Sequence, residues 1–262
     1  MENRTIKIFI SSSCELSAER KALAEFANEV NNIWCDKGIT VIPVEWEFVE
    51  SGLNGGSKQE DYNKKIDECV RCVVMFATKV GKYTKEELDY ALQRAKEGKN
   101  PKRVNVLFRY SDVKELEKYP DVKGVYDDLM AKEMFPENFS TSESLKLKFL
   151  TYLQYELKQY CFDLDLKLED GKVMMGDKVF VDMDKLQCFT NNEEYQNLVK
   201  QIARTKKMLS KTDVDDPDYL EFSADLNEYE QKRAKMEKNI WDVTLDLTRM
   251  SNERCSERLS RA

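Results

Sequence analysis

The sequence contains no histidine among its 262 residues. Serine–histidine–aspartate triads, cysteine–histidine dyads, HExxH zinc sites and phosphohistidine relays all need an imidazole, so the sequence excludes each of them. Any catalysis must therefore use carboxylates, lysine, cysteine, tyrosine, serine or backbone groups.

Long apolar runs and nucleotide-binding glycine motifs are absent as well. No apolar run approaches the roughly 20 residues that span a bilayer, and the N-terminus leads into a predicted strand without the apolar region of a signal peptide. The sequence has neither a GxGxxG nor a Walker motif. We expect a cytoplasmic protein that does not bind a membrane.

Clustered positive charge is also missing. The formal net charge is −7, and the basic residues are interleaved with acidic ones. Phosphate backbones bind to clusters of lysine and arginine. We therefore expect no direct nucleic-acid partner.

The cysteines are few and scattered. Their number, seven, is odd, and reduced thiols are the expectation for a chain without an export signal. Only Cys69 and Cys72 have metal-like spacing, and no second pair accompanies them, so we expect no metal site. Cys14, near a predicted helix start, is either a reactive thiol or an inert small residue.

The first 161 residues alternate short apolar segments with segments of helical periodicity, which defines the first predicted domain. Strands are predicted at residues 5–10, 39–46, 69–77 and 103–108, and helices at about 16–37, 60–68, 84–98, 122–132 and 142–160. Strands that alternate with helices indicate right-handed crossovers and an α/β fold with a parallel sheet.

Polar residues follow the predicted strands at their carboxyl ends, where open α/β sheets bind ligands. We expect three segments to line one crevice: Ser11 to Ser13, Trp46 with the glycine-bearing loop at 50–59, and residues 79–87.

Each of these features has two interpretations. The serines either donate to a phosphate or ribose, or provide a helix N-cap at Ser13 or Ser17. Trp46 either stacks on a base or nicotinamide ring, or is a buried residue that closes the strand. Gly55 and Gly56 form either a mobile lid or a flexible connection.

The stretch KVGKYTKEELDYALQ, residues 79–93, contains the carboxylate of most interest. Thr84 followed three residues later by Glu87 matches a capping box, in which Glu87 is a structural cap. Alternatively, the Glu87 carboxylate lies in the crevice beside a C1-ribosyl bond, where it stabilises or attacks an oxocarbenium-like centre. Glu86 points about 100° away around the helix and is expected to be solvated.

Residues 162–262 form a second, mostly helical region. We predict two short extended segments around the turn Asp170-Gly171, and then a second turn at 176–177. A polar helix at 190–211, opened by Thr190 or Asn191, precedes a long helix that runs from Pro217 to the end. Its apolar residues follow a heptad pattern that only Arg233 interrupts, so either a partner helix or the helix at 190–211 must cover it.

Two motifs carry a resemblance to a known family. The stretches KIFISSSCELSAER and VGKYTKEELDYAL, with the glycine-bearing loop between them, resemble the TIR-like domains of bacterial defence and signalling proteins over residues 5–158. The aromatic-x-x-x-Glu pattern of that family corresponds to Tyr83 and Glu87, with tyrosine where many members have tryptophan.

The resemblance implies a flavodoxin-like sheet and cleavage of NAD+ to nicotinamide and an ADP-ribose product. It makes Glu87 catalytic, lines the crevice with Ser11, Ser12, Trp46 and Tyr83, and treats NAD+ as substrate rather than cofactor. It further implies activation by self-assembly through TIR surfaces and the C-terminal helix, with a sensor region further along, in antiphage defence. The alternatives are a non-catalytic assembly module and a receptor for a nucleotide-derived signal.

Overall fold

The computed structural model describes residues 4–34, 37–45, 58–159, 164–213 and 215–261. Its contacts divide the chain into two compact units, Met1–Leu145 with Met250–Ala262, and Lys146–Arg249. The sequence placed its boundary at residue 161, which is later by most of the helix Ser142–Lys158.

The first unit is built on a five-stranded sheet in which every neighbouring pair is parallel. Its strands are β1 (Arg4–Ser12), β2 (Ile39–Glu45), β3 (Arg71–Phe76), β4 (Arg103–Arg109) and β5 (Glu137–Phe139). Their order, β2-β1-β3-β4-β5, is flavodoxin-like and confirms the predicted fold class. The strand order reverses between β1 and β3, and ligands of such sheets bind at that switch point, outside the carboxyl ends of the strands.

Helices flank this sheet. They are α1 (Ser17–Trp34), α2 (Lys58–Asp67), α3 (Lys82–Lys96) and α4 (Pro120–Ala131), with short 3-10 helices at Cys14–Leu16 and Val113–Lys118. Helix α5 (Ser142–Lys158) follows in sequence, and the boundary between the two units lies within it. The predicted strands and helices are confirmed within a few residues at their ends. Strand β5 was not predicted, because three residues are too few to show an alternating pattern.

The two faces of β1 serve different helices. Phe9 belongs to a buried cluster with residues of α2, α3 and α4, including Ile66 and Leu88. Successive residues of a strand point to opposite faces, so Ser11 shares the face of Phe9, and Ser12 shares the other face. This alternation decides the partners of the two serines.

The second unit begins within α5 and continues with an antiparallel three-stranded sheet. Its elements are β6 (Leu166–Glu169), β7 (Lys172–Met175), β8 (Lys178–Asp182), α6 (Gln187–Thr190), α7 (Glu193–Leu209) and the start of α8 (Pro217–Arg261). Helix α7 is capped by Asn192, whose side chain accepts from the Tyr195 amide, so the predicted cap at Thr190 or Asn191 is wrong.

The interruption of the heptad pattern at Arg233 has a structural cause. The buried guanidinium of Arg233 bonds Glu237 at 2.6 Å, Asp184 at 3.1 Å and the turn residue Asp170 at 3.0 Å. An ion pair of 2.8 Å between Lys206 and Glu230 links α7 to α8. The side chains at 243–261 lie outside the described residues, so the second half of the heptad pattern stays a prediction.

Within the described part of the chain, no helix has the length and apolar character that crossing a membrane requires.

Candidate active site

Ser11 and Glu87 meet at the switch point of the sheet. Ser11 stands at the end of β1 on the face that α3 covers, and its Oγ donates a hydrogen bond to Oε2 of Glu87. Both residues are buried, and Glu87 is only 3% exposed. The two residues lie 76 positions apart in sequence, and the parallel topology brings them together.

The capping-box interpretation of Glu87 is wrong. Helix α3 begins at Lys82 with Gly81 as its N-cap, so Thr84 is the third helical residue and not the cap. A Cβ on Gly81 would lie 3.0 Å from Oγ1 of Thr84, which is close enough to favour glycine at this position. Glu87 therefore faces the sheet from the second turn of α3 instead of folding back onto its own helix start.

Burial perturbs the ionisation of Glu87. It raises the pKa of the carboxyl group from the ordinary 4.5 to about 7, while the hydrogen bond from Ser11 and the positive charge of Arg20 oppose the rise. The negative charge of Glu86 adds to it. A carboxyl group with this pKa is present in both protonation states near neutral pH, which suits a group that acts in catalysis.

Two tyrosines border this carboxylate. Burial raises the pKa of Tyr62 on α2, and the charges of Glu87 and Tyr83 raise it further, so these groups lie close together. Tyr83 precedes Glu87 by one helical turn and is 55% exposed. Tyr62 was not among the predicted site residues, although its spacing of four from the buried Ile66 indicates that it faces inward.

Ser12 does not join Ser11 and Glu87. It lies on the opposite face of β1, where Nη1 of the buried Arg20 donates to its Oγ at 2.5 Å. The same nitrogen lies 3.0 Å from the carbonyl oxygen of Ser13 and 3.4 Å from that of Ser12. The prediction that Ser11 and Ser12 line the same crevice is therefore wrong, because their side chains lie on opposite faces of the sheet. Arg20 belongs to the quoted motif, yet the sequence analysis assigned it no role.

Glu15 joins the two loops on either side of the switch point. Its carboxylate accepts from the backbone amides of Thr78 at 3.1 Å and Lys79 at 3.3 Å, from the Thr78 hydroxyl, and from Ser13 Oγ at 3.0 Å. Burial acts to raise the pKa of Glu15, but these hydrogen bonds outweigh it and the pKa is lowered. The ionised side chain thus fixes the turn after β1 to the segment after β3.

The remaining predicted features fall into two groups. Ser13 occupies the N-cap position of the 3-10 helix without a capping side-chain bond, α1 begins at Ser17, and Cys14 is exposed with Nζ of Lys79 3.7 Å from its Sγ. Trp46, Gly55 and Gly56 lie outside the described residues.

No group of three or more histidine, cysteine, aspartate or glutamate residues that could hold a metal ion occurs in the described ranges.

Fold and site together define an α/β domain of flavodoxin-like strand order with a buried, perturbed carboxylate at its switch point. A family model described as "Domain of unknown function (DUF4062)" matches residues 7–153, more than half of the chain, and the chain belongs to this family. The match includes Ser11, Arg20, Tyr62 and Glu87. No curated protein matches the chain.

Proposed function

We propose that the first unit is a TIR-type NAD+ glycohydrolase in which Glu87 is the catalytic carboxylate. The observation that supports this proposal most is the contact between Ser11 and Glu87 at the switch point of the sheet, with the pKa of Glu87 raised to about 7. The choice of NAD+ as substrate rests on the resemblance of the motifs around both residues to TIR-like domains.

The reaction breaks the bond between C1′ of the ribose and N1 of the nicotinamide ring. The bonding electron pair stays with the ring nitrogen, which leaves as neutral nicotinamide, and positive charge develops at C1′. The ionised carboxylate of Glu87 stabilises that charge. A water molecule then adds to C1′, its proton passes to Glu87 or to solvent, and the other product is ADP-ribose.

The surroundings of Glu87 fit a cationic ring. A positively charged pyridinium near a carboxylate favours its ionised form, which lowers the pKa of Glu87 when substrate binds. The Tyr83 ring is exposed one turn away and offers an aromatic face for stacking. Because Glu87 is 3% exposed, the proposal requires that the side chains over the carboxylate move when NAD+ enters.

The second unit is proposed to drive self-association. Apolar residues of the heptad pattern in α8, among them Phe222, Leu226 and Tyr229, are only half-buried. A second copy of α8 would cover them as in a coiled coil. A role in antiphage defence, a cytoplasmic location and a further sensor region remain part of this proposal and rest on the resemblance and the sequence.

A second candidate function is binding of a nucleotide-derived signal without cleavage. The burial of Glu87 and its hydrogen bond with Ser11 favour it, because the carboxyl group is already satisfied inside the fold. In this case Glu87 supports the crevice and does not act on a bond.

The test is nicotinamide release from NAD+ by the full chain at low and high protein concentration. Glu87→Gln keeps the shape of the side chain, and Glu86→Gln alters the neighbouring, partly exposed glutamate as a matched control. We expect the first variant to lose at least about 100-fold of the turnover without any fall in its melting temperature, and the control to keep its turnover. Equal turnover in both variants would contradict the proposal. A thermal shift with NAD+ or ADP-ribose but no turnover would favour the second candidate.

A further inference from the structure

Arg20 is a buried cation on α1, and it lies on the side of β1 that faces away from Glu87. Its Nη1 contacts Oγ of Ser12 and the carbonyl oxygens of Ser12 and Ser13, so one guanidinium holds the point at which β1 ends. Ser11 is the preceding residue of the same strand. Any displacement of Ser12 therefore changes where the Ser11 hydroxyl points.

The charge of Arg20 also acts across the strand. It favours the ionised form of Glu87, against the burial of that carboxyl group. The other titratable groups that interact electrostatically with Glu87 come from α2, α3 and β3, and they are Tyr62, Glu86 and Cys72. Among these described groups Arg20 alone is a cation. Its removal should therefore raise the pKa of Glu87.

We propose that Arg20 is a positioning residue of the candidate site: it holds the end of β1 so that Ser11 reaches Glu87, and it places a buried positive charge behind that strand. The inference rests on the proposed function, since a positioning residue requires a reaction. Nη1 of Arg20 bonds Ser12 and Ser13, so its role is exerted through the neighbouring Ser11 and through the electrostatic field.

Two variants separate position from charge. Arg20→Gln removes the charge and most donors, whereas Arg20→Lys keeps the charge but loses the planar fork of the guanidinium. Arg204→Gln, an exposed arginine on α7, is the matched control. The titration of Glu87 is followed in the full chain by NMR of 13C-labelled glutamate carboxyl groups, with the Glu87→Gln spectrum as assignment, and nicotinamide release is measured in parallel.

The expected results differ among the variants. Arg20→Gln moves the midpoint of the Glu87 titration to higher pH and lowers kcat/KM at neutral pH. Arg20→Lys keeps the midpoint near that of the unaltered chain, lowers kcat/KM less, and shifts the amide resonances of Ser11 to Ser13. Arg204→Gln changes none of these.

The inference is overturned if Arg20→Gln titrates at the same pH as the unaltered chain. Should Arg20→Gln fail to fold, Arg20→Lys decides: unchanged kcat/KM together with unchanged amide resonances of Ser11 to Ser13 overturns the inference. The titration does not need turnover, so a chain that releases no nicotinamide contradicts the proposed function while the shifted midpoint still supports the electrostatic role of Arg20.

Discussion

The two units of the chain each bury a glutamate, and the hydrogen-bond partners of the two carboxyl groups differ in kind. Glu87 in the first unit is 3% exposed, and its carboxyl group accepts a hydrogen bond from a neutral hydroxyl, that of Ser11. Glu237 in the second unit is 2% exposed and accepts from the Arg233 guanidinium at 2.6 Å and from the Tyr195 hydroxyl at 2.7 Å.

The difference separates a carboxyl group that suits catalysis from one that stabilises structure. A buried carboxylate bonded to a cation and to a second element holds the two elements together. A buried carboxyl group without such a direct bond exchanges its proton near neutral pH. The two units therefore place the same residue type in different settings: a neutral hydroxyl contacts Glu87, and a guanidinium contacts Glu237. We propose a role in chemistry for Glu87 alone.

The structural role of Glu237 is tested by removing its cation. Arg233→Met leaves a buried carboxylate without its cationic partner, so we expect the free energy of unfolding to fall by about 3–5 kcal/mol. Denaturant unfolding of the full chain, followed by circular dichroism, measures the change. Lys232→Met, which breaks the exposed ion pair of 3.0 Å with Glu194, is the control and should cost less than about 1 kcal/mol. Equal losses in the two variants would refute the assigned role of Arg233.

The ionisation of Glu87 predicts a pH dependence of stability. The pKa of about 7 in the folded chain lies above the ordinary 4.5, so the folded state holds a proton that the unfolded chain releases. The stabilising contribution is complete below about pH 4.5 and is lost as the pH rises through about 7.

Relative to Glu87→Gln, the unaltered chain should lose about 3 kcal/mol of unfolding free energy between pH 4 and pH 8. Denaturant titrations of both chains at a series of pH values give this difference. Arg204→Gln, which does not titrate in this range, should show the same pH dependence as the unaltered chain. A difference between the unaltered chain and Glu87→Gln that stays constant with pH would show that Glu87 titrates normally.

The close approach of the β6–β7 turn to Arg233 predicts a smaller effect. Gly171 has a φ of +72°, and a Cβ there would lie 1.9 Å from Nη2 of Arg233. Gly176 has a φ of +58° with nothing within 4 Å of the corresponding position. We expect Gly176→Ala to cost about 1 kcal/mol from backbone strain alone, and Gly171→Ala about 2–3 kcal/mol. Thermal unfolding of both variants provides the comparison, and equal costs would contradict the contact.

The sequence was sufficient to predict the architecture of the first unit, because its strands are short, β-branched and separated by helical periodicity. It also distinguished Glu87 from Glu86 by the resemblance of the motif around Tyr83. It was misleading about the helix start, since a threonine followed by glutamate at the right spacing imitates a capping box. The actual cap, Gly81, contributes no side-chain signal.

Long-range partners were beyond the reach of local patterns. Arg20 contacts the end of β1, and Glu15 contacts the loop after β3. In the sequence, Arg233 is a charged residue that interrupts an apolar heptad pattern. Each is a charged side chain whose burial depends on a distant partner, and one sequence does not show that partner. The substrate-lining role of Trp46 and the lid role of Gly55 and Gly56 stay predictions.

The central claim is that a carboxyl group with a pKa of about 7 cleaves NAD+, and the pH profile of nicotinamide release tests it most directly. The account predicts that kcat/KM of the full chain rises about tenfold per pH unit below neutrality and levels off above about pH 7, and that Glu87→Gln abolishes this rise. A profile without a midpoint near neutrality, the same profile in Glu87→Gln, or no nicotinamide at any pH would contradict it.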